Sequence, residues 1–335
     1  MDRWIDSAGE RTPGTLMPIM ARLRLRFAFF ALVLAACGSR TGLFIDDTFG
    51  PNPSPDGGNP VDGGVRDGQR DGLPEEDALP PIDAKPPVDV NRNDCPDAAI
   101  TFIYLISSSY QLYSFNPVDS SLKLIGNIVC PAPSTDTPFS MAVDRKGVAY
   151  ILFTDEHIYK VSTLNASCQA TGFQPRQSNF GLFGMGFATN DVGPTETLYV
   201  SGDPRNAASA ELARIDVSNF KLTPIGSPGF LHAELTGTGS NRLFGFYTRT
   251  DTSPPSYIGE IDTDTATVIA EKRLDTVDQG TGWAFAFWGG DFYMFHAPNG
   301  NPVVTRYRPA DDSVTQITTL PTVIVGAGVS TCAPQ

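Results

Sequence analysis

The side chains best suited to acid–base chemistry or metal binding are the chain's three histidines, His157, His232 and His296. Imidazole exchanges protons near neutral pH and is a common metal ligand. Four carboxylates accompany them in the chain or in the fold predicted below, namely Asp155, Asp203, Glu234 and Asp251. These groups could form a metal or acid–base site, or they could be polar loop residues in solvent.

Established catalytic motifs are absent from the sequence. It has no GxSxG elbow, no GK[ST] phosphate loop, no HExxH and no dinucleotide fingerprint after a strand. None of the cysteines shows CxxC or Cys/His zinc spacing. The sequence therefore predicts no cofactor and no metal, and it favours a binding protein over an enzyme.

A short apolar segment precedes Cys37. Three arginines lead into the apolar run 27–36, which is too short to span a bilayer of roughly 30 Å and is typical of a signal peptide. The sequence Leu34-Ala35-Ala36-Cys37 resembles the lipobox of bacterial lipoproteins, in which the cysteine is lipidated and becomes the first mature residue. We expect a signal peptide at 1–36, with translation starting at Met17 or Met20 because acidic residues precede them.

The segment 37–94 is predicted to be the lipidated cysteine followed by a disordered tether. Residues 41–94 contain nine prolines and twelve acidic residues against four basic ones, so they cannot bury enough apolar surface to offset the loss of chain entropy. Its Asp–Gly steps match no EF-hand spacing, and we interpret them as part of a solvated spacer rather than a calcium site.

The sequence pattern of residues 95–335 predicts many short strands. Runs rich in Val, Ile, Phe, Tyr and Thr alternate with turn residues, and one hairpin recurs. The five copies start at Leu112, Ile158, Leu212, Ile258 and Val304, which are 46, 54, 46 and 46 residues apart. This period, with about four strands per unit, predicts an all-β fold, a five-bladed β-propeller of four-stranded antiparallel blades.

The first and last strands are predicted to share one blade. Blade one lacks an inner strand, whereas VGAGVST at Val325 has no unit after it, so we expect this C-terminal strand to complete the first blade. Cys332 and Cys95 would then meet at the same hairpin end, and a disulfide between them would join the chain ends.

The second predicted disulfide links Cys130 and Cys168. An even number of cysteines remains after Cys37 in a chain routed to an oxidising compartment, so these two pair by elimination. The strand order, however, places them near opposite faces unless the connector folds back. The pairing stays open at this stage.

Blade two carries a family resemblance. The phrase PFSMAVDRKGVAYI, from Pro138, resembles the repeat of NHL-like secreted propellers, which include both binding scaffolds and hydrolases. The start of the mature chain, CGSRTG, followed by an acidic Pro/Gly tether, resembles lipoproteins of myxobacterial type. These resemblances imply a fold and a location and leave the activity open.

Ligands of propellers usually meet the face that carries the loops between second and third strands. Those loops are predicted at 154–157, 203–211, 249–256 and 297–302, and all three histidines map near this face. His232 and Glu234, at the start of an inner strand, are the best-placed pair. Trp283 could be a sugar-stacking platform at the channel mouth, although packing between blades is the expected role.

The predicted function is a lipid-anchored extracytoplasmic binding scaffold. The alternative is a carbohydrate-active hydrolase or lyase, which would need two carboxylates facing each other across the channel mouth. The net charge of −13 argues against nucleic acid as a partner. We expect a monomer in the cell envelope, on the outer membrane, with a protein or glycan ligand.

Overall fold

The computed structural model of the chain describes residues 79–82, 102–191, 194–202 and 209–335, and of His232 it describes only the backbone. The predicted signal peptide, Cys37, Cys95 and Asp203 lie outside the described residues. So does the predicted boundary between residues 94 and 95. None of the helices in the described part of the chain is long and apolar enough to cross a membrane.

The described residues form twenty strands and two short 3-10 helices, at Gln177–Asn179 and Pro298–Gly300. In chain order the strands are β1 (Ile103–Ser107), β2 (Gln111–Asn116), β3 (Ser121–Asn127), β4 (Pro138–Val143), β5 (Val148–Phe153), β6 (Ile158–Ser162), β7 (Cys168–Ala170), β8 (Phe183–Thr189), β9 (Glu196–Gly202), β10 (Glu211–Asp216), β11 (Lys221–Gly226), β12 (Leu231–Gly237), β13 (Leu243–Thr248), β14 (Ser256–Ile261), β15 (Val268–Leu274), β16 (Trp283–Trp288), β17 (Asp291–His296), β18 (Val303–Arg308), β19 (Ser313–Thr319) and β20 (Ile324–Gly328).

The strands pair into five antiparallel sheets of four, which are the blades of a propeller. From the axis outwards, the blades are β20-β1-β2-β3, β4-β5-β6-β7, β8-β9-β10-β11, β12-β13-β14-β15 and β16-β17-β18-β19. We number these blades 1 to 5. The inner strands contact one another around the ring and back to β20, so the predicted fold class is confirmed.

The chain closes in blade 1 as predicted. β20 pairs antiparallel with β1, and Ala327 lies opposite Leu105. The strand ends at Gly328, earlier than the predicted Thr331, which lies in the turn that follows. The pairing gives β1 a partner on its inner side, so blade 1 presents no open edge towards the channel.

The recurring hairpin turns share one backbone feature. Each contains a non-glycine residue with φ between 54° and 63°, in the left-handed region. These residues are Ser120, Ala166, Phe220, Ala266 and Asp312. Their spacing of 46, 54, 46 and 46 residues equals that of the hairpin repeat in the sequence. The five hairpins are therefore one structural unit, and the longer second interval lies between blades 2 and 3.

Small residues let neighbouring inner strands approach one another closely around the channel. A Cβ atom added at Gly184 would overlap the backbone of Ala233 in the next blade, and one at Gly237 would overlap Phe187. Side chains also bridge the blades, because Thr236 Oγ1 accepts a hydrogen bond of 3.0 Å from the Phe287 N–H. Tight packing around the axis therefore explains the small-residue pattern of the predicted inner strands.

Cys130 and Cys168 form a disulfide, with Cα atoms 5.0 Å apart. The expectation from strand order that these residues lie far apart is wrong because it ignored the twist of the blades. The end of β3 packs on the hairpin turn of the next blade, where a Cβ at Gly126 would lie 3.2 Å from the Ala166 Cβ. Twist thus brings the end of one outer strand to the start of the next.

Cys332 is disulfide-bonded as well. Its predicted partner, Cys95, lies outside the described residues, so that pairing stays a prediction.

Candidate functional site

The face predicted to hold ligands is formed by the loops between second and third strands and by the connectors that enter each inner strand. The four predicted loops occupy the intervals between β5 and β6, β9 and β10, β13 and β14, and β17 and β18. We call this side the ligand face. The inner strands begin here, with Trp283 as the first residue of β16.

A pocket of about 290 Å³ opens at the channel mouth on this face. Its walls come from the starts of inner strands in blades 2 to 5, and they include Phe139, Phe183, Ala233, Glu234 and Trp283. We call it the mouth pocket. Its walls are mostly apolar, so Glu234 is the only carboxyl among the described residues that line it.

Glu234 is a buried acid held across the channel by a residue of another blade. Only 4% of it is exposed, and its Oε2 accepts a hydrogen bond of 2.8 Å from the Ser140 hydroxyl. Ser140 Oγ in turn accepts a bond of 3.2 Å from the Met185 N–H. Burial raises the pKa of Glu234 well above its ordinary value, and the hydrogen bonds offset this only in part. Burial therefore favours the protonated form of this carboxyl.

A second pocket of about 410 Å³ lies beside the mouth pocket, between blades 4 and 5. Its described lining is polar and consists of Thr248, Asp251, Thr252, Ser253, Asp278, Gln279 and Gly280, together with Trp283. We call it the side pocket. Trp283, which is half-buried, lines both pockets, so the mouth pocket and the side pocket share this side chain.

Hydrogen bonds hold the walls of the side pocket. The Ser256 hydroxyl donates to the Val277 carbonyl at 2.8 Å, and the Gln279 N–H donates to Ser253 Oγ at 3.0 Å. These bonds join the loop of blade 4 to the connector that leads into β16. The pocket is therefore built before any ligand binds.

Three buried polar atoms near these pockets lack a hydrogen-bond partner among the described residues. They are Ser201 Oγ, Thr248 Oγ1 and Gln279 Nε2. Ser201 lines the mouth pocket, and the other two residues line the side pocket. A buried polar atom without a partner costs about 1–3 kcal/mol, so such atoms are unusual away from functional sites.

The two histidines whose side chains the structure describes, His157 and His296, have separate hydrogen-bond partners. The half-exposed His157 ring faces its neighbour, with Nδ1 3.1 Å from the Asp155 carbonyl oxygen and 3.3 Å from Asp155 Oδ2. His296 is buried, with Nδ1 2.6 Å from the Asp278 carbonyl oxygen and Nε2 2.8 Å from Thr305 Oγ1. Burial lowers the pKa of His296, so the neutral ring donates from Nδ1 and accepts at Nε2. Its role is structural.

Of the other predicted carboxylates, Asp155 and Asp251 lie in the loops of different blades. Asp155 accepts hydrogen bonds from the Tyr159 hydroxyl at 2.7 Å and from the His157 N–H at 3.0 Å, so it organises its own loop. Asp251 lines the side pocket. No group of three or more His, Cys, Asp or Glu side chains in the described ranges is arranged to hold a metal ion.

A second glutamate, which is half-buried, lies at the opposite end of the channel. Glu196 begins β9, directly after the turn that leaves β8. Its carboxylate accepts hydrogen bonds from the Arg145 N–H at 2.8 Å and from the Thr331 hydroxyl at 2.9 Å. Burial raises the pKa of Glu196 to about 7. These hydrogen bonds connect the C-terminal turn, which contains Thr331, to blades 2 and 3.

Comparison with known proteins yields structural similarity alone. No protein-family model and no curated protein matches the chain. Similar solved structures include a chain of a nidogen/laminin complex, at 11% identity and a TM-score of 0.46, covering 70% of this chain and 100% of that one.

Two further structures are bacterial. TolB from Acinetobacter baumannii matches at 14% identity and a TM-score of 0.39, covering 68% of this chain and 55% of that one. A protein of unknown function from Bacteroides caccae matches at 11% identity and a TM-score of 0.38, covering 68% and 85% of the two chains. At these values we draw no functional conclusion from them.

Sequence reasoning identified Glu234 and Trp283 but missed the residues that complete the pockets. Ser140 was visible only as a small residue in an inner strand, and Gln279 only as part of a connector. A polar residue within an otherwise apolar inner strand, as at Ser140 in PFSMAV, is the one signal that could have pointed to the channel.

Proposed function

We propose that this chain is a lipid-anchored extracytoplasmic binding protein, and that its ligand is a glycan bound at the two pockets that share Trp283. The observation that carries the proposal is the position of this indole ring. It lines both a small apolar recess and a recess that hydroxyl, amide and carboxyl side chains also line. A sugar ring has the same two properties, since an apolar C–H face can lie on an aromatic ring while its hydroxyls bond to polar walls.

The dimensions favour a small polar ligand over a protein surface. Pockets of about 290 and 410 Å³ lie at the lower end of the range for small-molecule sites. A stable protein interface needs about 800 Å² on each partner, which concave recesses of this size do not supply. The unpartnered atoms of Ser201, Thr248 and Gln279 add polar groups that a bound ligand could satisfy after small rotations.

Binding is favoured over hydrolysis by the state of Glu234. A neutral carboxyl could act as a general acid, and this feature alone supports the enzymatic alternative. However, the Ser140 hydroxyl already occupies Glu234 Oε2, and the described lining of the mouth pocket contains no second carboxyl. A glycosidase needs two such groups about 5–10 Å apart.

The test is binding of the purified full chain, in detergent micelles, to an array of immobilised bacterial and host glycans. We expect Trp283→Ala to abolish binding to any glycan that the wild type retains. Trp288→Ala is the matched control, because Trp288 is half-buried at the other end of the same strand. If the wild type binds no glycan, or if both variants lose binding equally, the proposal is wrong. Release of shortened glycan from the array by the wild type and not by Glu234→Gln would favour the hydrolase.

Anchoring is tested separately. Cys37→Ala is expected to leave unprocessed precursor that takes up no labelled palmitate, while Gly38→Ala, at the neighbouring position, is labelled as the wild type is. Equal labelling of Cys37→Ala and wild type would contradict the lipid anchor. Recovery of the wild type in inner-membrane fractions alone would contradict the outer-membrane location.

A further inference from the structure

Four residues of the predicted tether pack against the outer strand of blade 4. The Pro80 carbonyl oxygen accepts a hydrogen bond of 3.0 Å from the Glu271 N–H, in the middle of β15. Ile82 is 5% exposed and belongs to the apolar cluster that contains Leu274 and Val277. Leu79 packs against the neighbouring cluster. This segment makes both backbone and apolar contacts with the propeller.

The sequence Leu79-Pro80-Pro81-Ile82 suits such a contact. Proline fixes φ near −65° and also restricts the residue before it to extended conformations. An extended proline-rich chain has three residues per turn, so positions 79 and 82 lie on the same side. The exposure of the four residues agrees with this three-residue period, because Leu79 and Ile82 are at least half-buried whereas Pro80 and Pro81 are exposed.

The strand that receives this segment differs from the other outer strands. In β15, Val268 and Ala270 are each 7% exposed and Leu274 is 2% exposed. In contrast, β3, β7 and β19 contain no buried residue, and β11 contains one, Leu222. The outer strand of blade 4 therefore contains apolar side chains that are shielded from solvent, unlike most of the other outer strands.

We propose that the outer edge of blade 4 is a docking groove for an extended, proline-containing segment with apolar residues three positions apart. Its resident occupant is residues 79–82 of the same chain. Docking covers an edge that would otherwise offer unpaired backbone groups to another strand. The inference does not depend on what the pockets bind.

The first test is amide hydrogen exchange at Glu271 in the full chain. Ile82→Asp is expected to speed this exchange by about tenfold or more, because the charged side chain leaves the groove and the bond to Pro80 is lost. Ile82→Ala is expected to act in the same direction. Val88→Asp is the matched control, since Pro86-Pro87-Val88-Asp89 repeats the local sequence Pro80-Pro81-Ile82-Asp83. Unchanged exchange in Ile82→Asp, or equal acceleration in the control, would overturn the proposal.

The second test supplies the segment in trans. A fluorescent peptide of residues 76–86 is expected to bind the Ile82→Asp full chain and to bind the wild type at least about tenfold more weakly, because the wild-type groove is occupied. The same peptide with Asp at position 82 should bind neither. Equal binding to both proteins would overturn the proposal. Glu271 protection that rises with wild-type concentration would assign the occupant to a second copy and refute docking within one chain.

Discussion

Glu234 is buried and Glu196 is half-buried at opposite ends of one channel, and their surroundings differ. Glu196 receives hydrogen bonds from Arg145 and Thr331, and burial raises its pKa to about 7. Glu234 receives one side-chain bond, from Ser140, and burial raises its pKa well above the ordinary value. At each end a hydroxyl and a backbone N–H offset part of the lost hydration, and Glu196 also has the positive charge of Arg145 nearby.

The two carboxyls also differ in the pockets beside them. Around Glu196, the Arg145 N–H and the Thr331 hydroxyl tie the C-terminal turn to blades 2 and 3, and Glu196 lines a pocket of about 400 Å³ together with Thr197 and Arg214. Around Glu234, a pocket remains, with buried polar atoms nearby that have no partner among the described residues. Polar groups left partly satisfied beside a cavity are expected where a ligand completes the set.

The largest effect is expected from removing the last eleven residues. This deletion removes most of β20 together with Thr331, so blade 1 loses its inner strand and Glu196 loses a donor. We expect no cooperative unfolding transition in calorimetry, and aggregation through the exposed strand edges. Deletion of Gln335 alone is the control and should unfold as the wild type does. A truncated protein that melts cooperatively would disprove the role of closure.

The second-largest expected effect is the change in folding stability with pH that Glu196 causes. Its pKa rises on folding from 4.5 to about 7, so between these pH values the folded state binds more protons than the unfolded state and stability falls as pH rises. This dependence amounts to about 3 kcal/mol. Glu196→Gln should remove it from urea unfolding measured between pH 4.5 and 8. An unchanged pH profile would show that the carboxyl is not buried as described.

Ser140→Ala should destabilise the fold by about 1–3 kcal/mol, because it leaves the Met185 N–H and the Glu234 carboxyl without their shared partner. Ser201→Ala is the matched control. The Ser201 hydroxyl is buried without a hydrogen-bond partner among the described residues, so its removal should leave the free energy of unfolding unchanged or raise it by up to about 3 kcal/mol. Equal effects in urea unfolding would remove the distinction between the two serines.

The smallest effect is expected from Glu234→Gln at pH 7. Burial favours the protonated form of Glu234, and glutamine has nearly the same shape and polarity as that form, so the free energy of unfolding should change by less than about 0.5 kcal/mol. Because the folded pKa is raised, the wild type loses stability as pH rises and the variant should become the more stable protein in alkaline solution. A large loss of stability at pH 7 would indicate that Glu234 is ionised in the folded state.

Much of the fold could be predicted because its signals are local. Turn residues and alternating strands mark each hairpin, and the 46-residue period reveals the blades without any knowledge of contacts. Even the pairing of β20 with β1 followed from counting strands. The docked segment 79–82 could not be predicted, because its proline-rich acidic surroundings have the composition of a solvated linker and only the apolar groove of blade 4 gives Leu79 and Ile82 a place to bind.

The sequence by itself thus determined the blade number, the closing strand, and Glu234 and Trp283 as residues of the channel mouth. Only the tertiary structure decided that Cys130 meets Cys168, that Ser140 reaches Glu234 across the channel, and that His296 serves packing. The reason is that strand order follows from short-range patterns along the chain. Which side chains meet depends on blade twist and on how closely the inner strands approach, and neither quantity is written in local composition.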